Sequence, residues 1–353
     1  MFSFLKPLIF GLDPEAAHDL AIKSLKLNVI PEDFFKVENE KMLETTFLKH
    51  KIKNPIGMAA GFDKSAEVFN SLFQLGFGIV EVGTITPKKQ LGNPKPRIFR
   101  LEEDEALINR LGFNNDGLEV ATKRLEEGKL NKRGILGVNV GPNYNSDSFE
   151  SDFLKCISHL IKLSLADYIT INISSPNTEN LRDFHDERKL ETLMKEVNKL
   201  KKKLKSESTP IFLKVSPDIK DHSVEKISGL IIDQKIDGLI LTNTTNLCRS
   251  SLKSSNKNQA GGLSGKPLRE LSNEMISKFY KKLRGKAYII GVGGVDSGKS
   301  AFEKISSGAN AVQLYTGMIY KGPGIVKRIK KDLISILRQE KIKNIGEAVG
   351  INS

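Results

Sequence analysis

The stretch Tyr168-Ile169-Thr170-Ile171-Asn172-Ile173-Ser174-Ser175-Pro176-Asn177-Thr178 decides the fold. It opens as an apolar, β-branched run without period-two alternation, the pattern of a strand buried on both faces of a parallel sheet. It closes in a cluster of Asn, Ser and Thr. Seven other runs share this design: 56–60, 78–84, 135–140, 211–216, 238–242, 288–293 and 311–315. Segments with helical periodicity lie between them, at 65–75, 149–165, 189–204, 223–233 and 297–307. Eight strands alternating with helices predict a (β/α)8 TIM barrel of the α/β class. A doubly wound sheet is the alternative. It is disfavoured because no G-x-G-x-x-G follows the first strand and nearly every strand ends in polar residues.

The chain has 353 residues and a formal net charge of +13, with 39% hydrophobic residues and two cysteines. This length buries a large core. Two cysteines exclude a disulfide framework and a Cys-based zinc site, and the five histidines show no ligand spacing; no metal is expected. The charge alone permits nucleic acid, an anionic membrane or an anionic substrate as partner. Trp is absent and no basic stripe is interleaved with aromatics, so nucleic acid is not expected. No apolar run is long enough to span a membrane, and the N-terminus lacks the features of a signal peptide.

Residues 1–40 stand apart from the barrel at 41–353. Asp13-Pro14-Glu15 is a helix start, with Asp as cap and Pro at the first position. The helix from 14 to about 27 follows an apolar piece that contains Phe2, Phe4, Leu5, Leu8, Ile9 and Phe10. Together they carry more apolar surface than two small helices can hide. Packing on the barrel and a lipophilic or membrane-surface site both account for it.

In a barrel, the C-terminal strand ends carry the active site. Asn172 and Asn177 lie at one such end, Asn139 at another, and Thr242-Asn243-Thr244-Thr245 at a third. Asn109 falls in the long connection at 85–134. A carboxamide donates and accepts, so several converging amides suit a flat ring with alternating carbonyl and N–H edges. Ser175 offers a hydroxyl as base or nucleophile; a turn alone also explains Asn, Ser and Pro here. Lys214 interrupts the buried run 211–216, where a cation needs a partner, and Lys64 follows the first strand. Glycines at 261–265, 291–294 and 317 expose backbone N–H groups after the strands that usually hold phosphate in barrels.

With these residues in view, the chain resembles the quinone-dependent (class 2) dihydroorotate dehydrogenases over nearly its whole length. The resemblance is carried by Asn54-Pro55-Ile56-Gly57-Met58-Ala59-Ala60-Gly61-Phe62-Asp63-Lys64, Glu81-Val82-Gly83-Thr84-Ile85-Thr86-Pro87, Pro96-Arg97-Ile98-Phe99-Arg100 and Ile108-Asn109-Arg110-Leu111-Gly112-Phe113-Asn114-Asn115. The motifs around Asn172, Thr242, Gly261 and Gly291 add to it. It implies an FMN enzyme that oxidises dihydroorotate to orotate in pyrimidine synthesis and passes electrons to a ubiquinone-type quinone. By the same resemblance, FMN is surrounded by Ala60, Gly61, Phe62, Asp63, Lys64, Thr84, Asn139, Asn172, Lys214, Thr242, Gly265, Gly294, Tyr315 and Thr316. The substrate meets Lys64, Asn109, Arg110, Leu111, Gly112, Phe113, Asn172, Asn177, Asn243 and Thr244, and Ser175 is the catalytic base. Read from the residues themselves, Thr178, one helical turn's spacing beyond Ser175, offers a relay for its proton through water. Class 1 relatives carry Cys where Ser175 stands and lack the N-terminal helices. The resemblance further implies a monomer bound peripherally to the cytoplasmic side of the inner membrane, with the helices of 1–40 guiding quinone. One departure is visible: Pro142 stands where bacterial relatives often carry Lys.

Overall fold

Every one of the eight apolar runs becomes a strand of one closed parallel barrel in the computed structural model. In chain order the strands are Ile56–Met58, Ile79–Ile85, Ile135–Val140, Tyr168–Asn172, Ile211–Val215, Gly238–Leu241, Tyr288–Val292 and Ala311–Leu314. The last pairs with the first, Val312 opposite Ile56 and Leu314 opposite Met58, which closes the ring. The structure describes residues 2–27, 35–38, 40–178, 180–206 and 208–353; part of the boundary expected near residue 40 lies outside them.

The helices follow the periodicity with one notable trim. The expected helix 65–75 is confined to Phe69–Gln74. Ala66 sits at φ +57°, and the Asp63 carboxylate accepts the Glu67 and Val68 N–H groups at 2.7 and 2.8 Å. The chain is held as a turn until the helix can start. The helix Glu187–Lys203 buries Leu190, Leu193, Met194 and Val197, and of the lysines in the run 199–205, whose composition suggests a solvated face, Lys201 is buried near Asp237.

The long connections hold structure that periodicity did not reveal. Strands Ile98–Leu101, Ala106–Asn109 and Gly262–Gly265 form a small antiparallel sheet, built from both insertions. The register sets Gly262 opposite Asn109. Helices Leu118–Gly128, Arg269–Leu283 and Ile325–Gln339 complete the outer ring.

The opposite end of the barrel is closed. A hairpin, Thr45–Phe47 paired with His50–Ile52, drives Phe47 into the floor. Its ring packs 5.0 Å from Tyr288 and 6.1 Å from Phe212, and Tyr168 lies 4.8 Å from Phe212. All four aromatics are buried or nearly so.

Two helices precede this barrel, Phe2–Phe10 and Pro14–Lys26. Asp13 caps the second as its sequence predicts, accepting the Glu15 and Ala16 N–H groups at 3.0 Å each. The pair is fastened to the small sheet. Arg97 grips Glu15 with two bonds of 2.6 and 3.1 Å, and Arg100 donates to the carbonyls of Phe10 and Leu12. Burial works against ionisation of Glu15, but the bonds and charge of Arg97 outweigh it and hold the carboxyl below its ordinary range.

Candidate active site

The polar strand ends converge on one cleft at the open end of the barrel. It encloses about 1050 Å³ including its open mouth. Its wall includes Ala60, Gly61, Lys64, Thr84, Asn109, Leu111, Gly112, Phe113, Asn172, Ser175, Asn177, Lys214, Thr242, Asn243, Thr244, Gly265, Gly294, Tyr315 and Thr316. These are residues singled out from the sequence, contributed by almost every strand end.

A hydrogen-bonded chain fixes the carboxamides. Asn139 donates to Glu81 at 2.8 Å and accepts from Thr84 Oγ1 at 2.7 Å. Asn172 Nδ2 donates to Thr84 Oγ1 at 3.2 Å, and its oxygen accepts from Asn243 Nδ2 at 3.2 Å. Asn243 also donates to Ser174 Oγ at 2.9 Å, and Ser174 donates to the Lys214 carbonyl at 2.6 Å. Asn177 Nδ2 reaches the Asn109 carbonyl at 3.2 Å, tying the fourth-strand loop to the small sheet. Amides locked in this way present their remaining donors and acceptors in fixed directions.

Ser175 is buried at the cleft wall. Its Oγ accepts the Asn177 N–H at 3.3 Å, and its hydroxyl proton has no acceptor among the described residues. Gly262 presses on this corner: a Cβ there would fall 1.9 Å from Thr244 Oγ1 and 3.1 Å from Pro176. Only a residue without a side chain lets the small sheet close over the loop so tightly.

The two lysines occupy different settings. Lys214 is buried, and among the described residues its Nζ finds no hydrogen-bond acceptor although it borders the cleft. Burial lowers its pKa, opposed by the charge of Glu81. Lys64 donates to Nε2 of His18 at 3.1 Å. Desolvation pulls Lys64 down to about 8 against the pull of Glu15, Asp19 and Asp63. Desolvation, with the Lys64 charge beside it, also pushes His18 down to about 3, so this imidazole is neutral and can accept.

The glycine turns after the seventh and eighth strands border the same cleft. Gly293 and Gly294 take φ +121° and +71°. The N–H groups of Gly294 and Val295, and the first-turn N–H groups of Thr316 and Gly317, have no protein acceptor among the described residues. Such a nest, with the Lys214 ammonium bordering the same cleft, fits an anionic, phosphate-bearing cofactor.

Four expected contacts fall outside the cleft wall. Arg110 turns away, donating to Gln259, Ala260 and Pro96 and stacking 4.6 Å from the Phe99 ring. Asp63 is spent on the turn already described, and burial raises it to about 6. Asn139 lies one layer deeper, inside the barrel, and Phe62 faces the N-terminal helices. The segment 261–265, read as a glycine turn, is in part the strand that pairs with Ala106–Asn109.

The sequence reading passed over the barrel's polar floor. Glu81 accepts from Asn139, from Tyr168 Oη at 2.9 Å and from Gln313 Nε2 at 2.9 Å, all fully buried. A Glu inside an apolar run carries the same signal that exposed Lys214. It also passed over His18, whose ring is neutral and wedged between Lys64 and Phe62.

A second cavity lies between the N-terminal helices and the barrel. It encloses about 1280 Å³ and is lined by Leu5, Leu8, Ile9, Ala17, Leu20, Ala21, Phe62, Met318 and Tyr315, among others. Tyr315 borders both cavities, and Phe62 packs 6.1 Å from it. Leu8 lines this cavity and is 75% exposed, and Phe4 on the same helix is 87% exposed. No described helix is long and apolar enough to cross a membrane.

A parallel eight-stranded barrel with amides, a serine and a nest of N–H groups at its mouth has the build of a barrel enzyme. The sequence pattern of the dihydroorotate dehydrogenase family matches residues 42–337, and the chain belongs to that family. It is 46% identical over 341 residues to a dihydroorotate dehydrogenase (quinone) of Bartonella tribocorum, covering 96% of this chain and 92% of that one. It is 42% identical over 348 residues to the mitochondrial dihydroorotate dehydrogenase (quinone) of Mus musculus, covering 97% and 87%. The crystal structure of the Eimeria tenella enzyme in complex with ferulenol superposes with a TM-score of 0.90 at 38% identity, covering 98% of both chains.

Proposed function

We propose that this protein oxidises dihydroorotate to orotate with FMN and passes the electrons to a membrane quinone. Family membership supports the oxidation of dihydroorotate in pyrimidine biosynthesis. The observation that carries the finer reading is one cleft holding Ser175, the amides of Asn109, Asn172, Asn177 and Asn243, Lys64, and a nest of N–H groups and a Lys214 ammonium that find no acceptor among the described residues.

The residues fit FMN. The nest formed by Gly294, Val295, Thr316 and Gly317 would hold its phosphate, Lys214 would sit by the ring system, and Gly61, Thr84 and Thr242 would border it. FMN supplies a hydride acceptor when bound. The chain does the rest. Lys64 holds the substrate carboxylate as a cation, and the locked amides fix the ring edge. Ser175 removes a proton from the carbon beside the ring carbonyl; its hydroxyl must release its own proton as it does so. Thr178, in the same turn, can pass that proton outward through water. Lys214 stabilises negative charge that develops nearby.

The division of labour follows the two cavities. Residues 41–353 form the catalytic barrel, and residues 1–40 form the quinone entry. The exposed Phe4, Leu8 and Leu27 dip into the membrane surface, giving peripheral attachment on the cytoplasmic side. The protein acts as a monomer.

The test is anaerobic. Purified protein is mixed with dihydroorotate and the visible band of oxidised flavin is followed. Rapid bleaching is expected. A yellow protein that does not bleach rejects the substrate, and a protein that takes up no FMN rejects the reading as a whole.

A further inference from the structure

Behind the base lies a cluster for which the mechanism has no use. Residues Leu181–His185 form a short 3-10 turn that follows the segment bearing Ser175. Arg182 lies in it and reaches three strand-end loops. Its Nε donates to the Ser174 carbonyl at 3.4 Å, its Nη2 to the Thr244 carbonyl at 3.5 Å, and its Nη1 lies 3.1 Å from Asp218 Oδ2. Asp218 in turn accepts from the Thr245 hydroxyl and from the Asn246 N–H. One guanidinium and one carboxylate therefore join the loops after the fourth, fifth and sixth strands. Those loops hold Ser175, Asn177, Asn243 and Thr244.

His185 holds this cluster from beneath. Its Nδ1 is 2.8 Å from the Arg182 carbonyl, and its Nε2 is 3.3 Å from the Ser216 N–H. A carbonyl can only accept and a backbone N–H can only donate. The ring must then carry its proton on Nδ1 and a lone pair on Nε2, which is the neutral imidazole. Protonation sets Nε2–H against the Ser216 N–H, donor against donor, and breaks the tie to the fifth-strand loop. The charged groups that face the ring are Arg182 and Asp218; Asp183 and Lys189 on the flanking turn and helix pair with each other at 3.0 Å.

We propose that His185 is a positioning residue for dihydroorotate oxidation, a latch that holds the Ser175 loop when neutral and frees it when protonated. The proposal rests on the function argued above. Burial is the main influence on the ring and holds it below the ordinary histidine range; the Arg182 carbonyl bond and the Asp218 charge oppose this, and the Arg182 charge adds to it. The latch is therefore closed at neutral pH and fails only on acidification.

The experiment compares the wild-type holoenzyme with H185Q and H185A. A glutamine carboxamide can make both contacts and does not titrate. At about pH 8, H185Q should reduce flavin with dihydroorotate as fast as the wild type, while H185A should be about tenfold slower through the loss of its hydrogen bonds. As the pH falls from about 8 to about 4.5, the wild type should lose more of its reduction rate than H185Q, by up to about tenfold per unit once the ring protonates below the ordinary histidine range. Reoxidation by quinone should be alike in all three. Hydrogen exchange, corrected for the intrinsic pH effect, should show the Ser216 amide and residues 173–178 losing protection on acidification in the wild type but not in H185Q. Superimposable pH profiles and exchange patterns for wild type and H185Q overturn the latch. If H185A fails to fold, the comparison of wild type with H185Q still decides. A wild type that is never bleached by dihydroorotate rejects the proposed function instead, and exchange alone then judges the latch.

Discussion

The two cavities of this molecule are built by opposite means. The barrel cleft is made of strand ends, and its side chains are held by an unbroken run of hydrogen bonds from Glu81 through Asn139, Thr84, Asn172 and Asn243 to Ser174. The cavity under the N-terminal helices is made of apolar side chains with few polar constraints, fastened at its edges by Arg97–Glu15 and Arg100. The first can orient a polar ring to a fraction of an ångström. The second can admit a greasy molecule without specifying it closely. A reaction in two halves, one polar and one lipophilic, can use both, and the two should then fail independently.

The sharpest way to break that contrast is Ser175→Ala. It should slow flavin reduction by dihydroorotate about 10²–10⁴-fold, the usual worth of a general base, and leave quinone reoxidation intact. Stopped-flow spectra of each half-reaction check this; equal losses in both would erase the distinction between the cavities. Narrowing the other cavity is the converse test. Ala17→Trp should raise the quinone KM by about 10–100-fold, a steric loss of roughly 1–3 kcal/mol, with bleaching by dihydroorotate unchanged.

A pH series sharpens the comparison further. Lys64 is charged below its value of about 8 and neutral above it. Orotate affinity, read by spectral titration, should fall as pH rises through 8, by up to about tenfold per unit, and Lys64→Met should flatten that dependence. Affinity that is level from pH 7 to 9.5 in the wild type would remove Lys64 from the carboxylate. The smallest effect belongs to the rim. Leu8→Ala should cost about 1 kcal/mol of vesicle partition, roughly fivefold, measured by sedimentation with lipid vesicles, and should not alter flavin reduction.

The barrel was legible because its strands are buried on both faces and so read as unbroken apolar runs, each punctuated by the residues of the mouth. The cleft was legible for the same reason: Asn172, Ser175, Asn243 and Lys214 are polar groups at the ends or within such runs. The small antiparallel sheet was not, because its three short strands come from two insertions far apart in the sequence, with Gly262 paired to Asn109, and meet only in space. Arg110 was assigned with its neighbours, yet its side chain leaves the mouth for the carbonyls of Pro96 and Ala260. Sequence adjacency to Asn109 and Leu111 says nothing of direction in a loop. His18 was dismissed for want of ligand spacing, and its partner Lys64 is 46 residues away.

The plugged floor has a consequence for traffic. Phe47, Phe212, Tyr288 and Tyr168 stopper the barrel from below, and Glu81, Gln313 and Asn139 fill the layer above them with buried hydrogen bonds. The vessel is one-ended. On the proposed function, water, substrate, product and any proton released at Ser175 leave on the upper side of the barrel, among the loops that bear the site. Departure is then a matter for the upper rim alone, where the cleft and the cavity under the N-terminal helices meet at Tyr315.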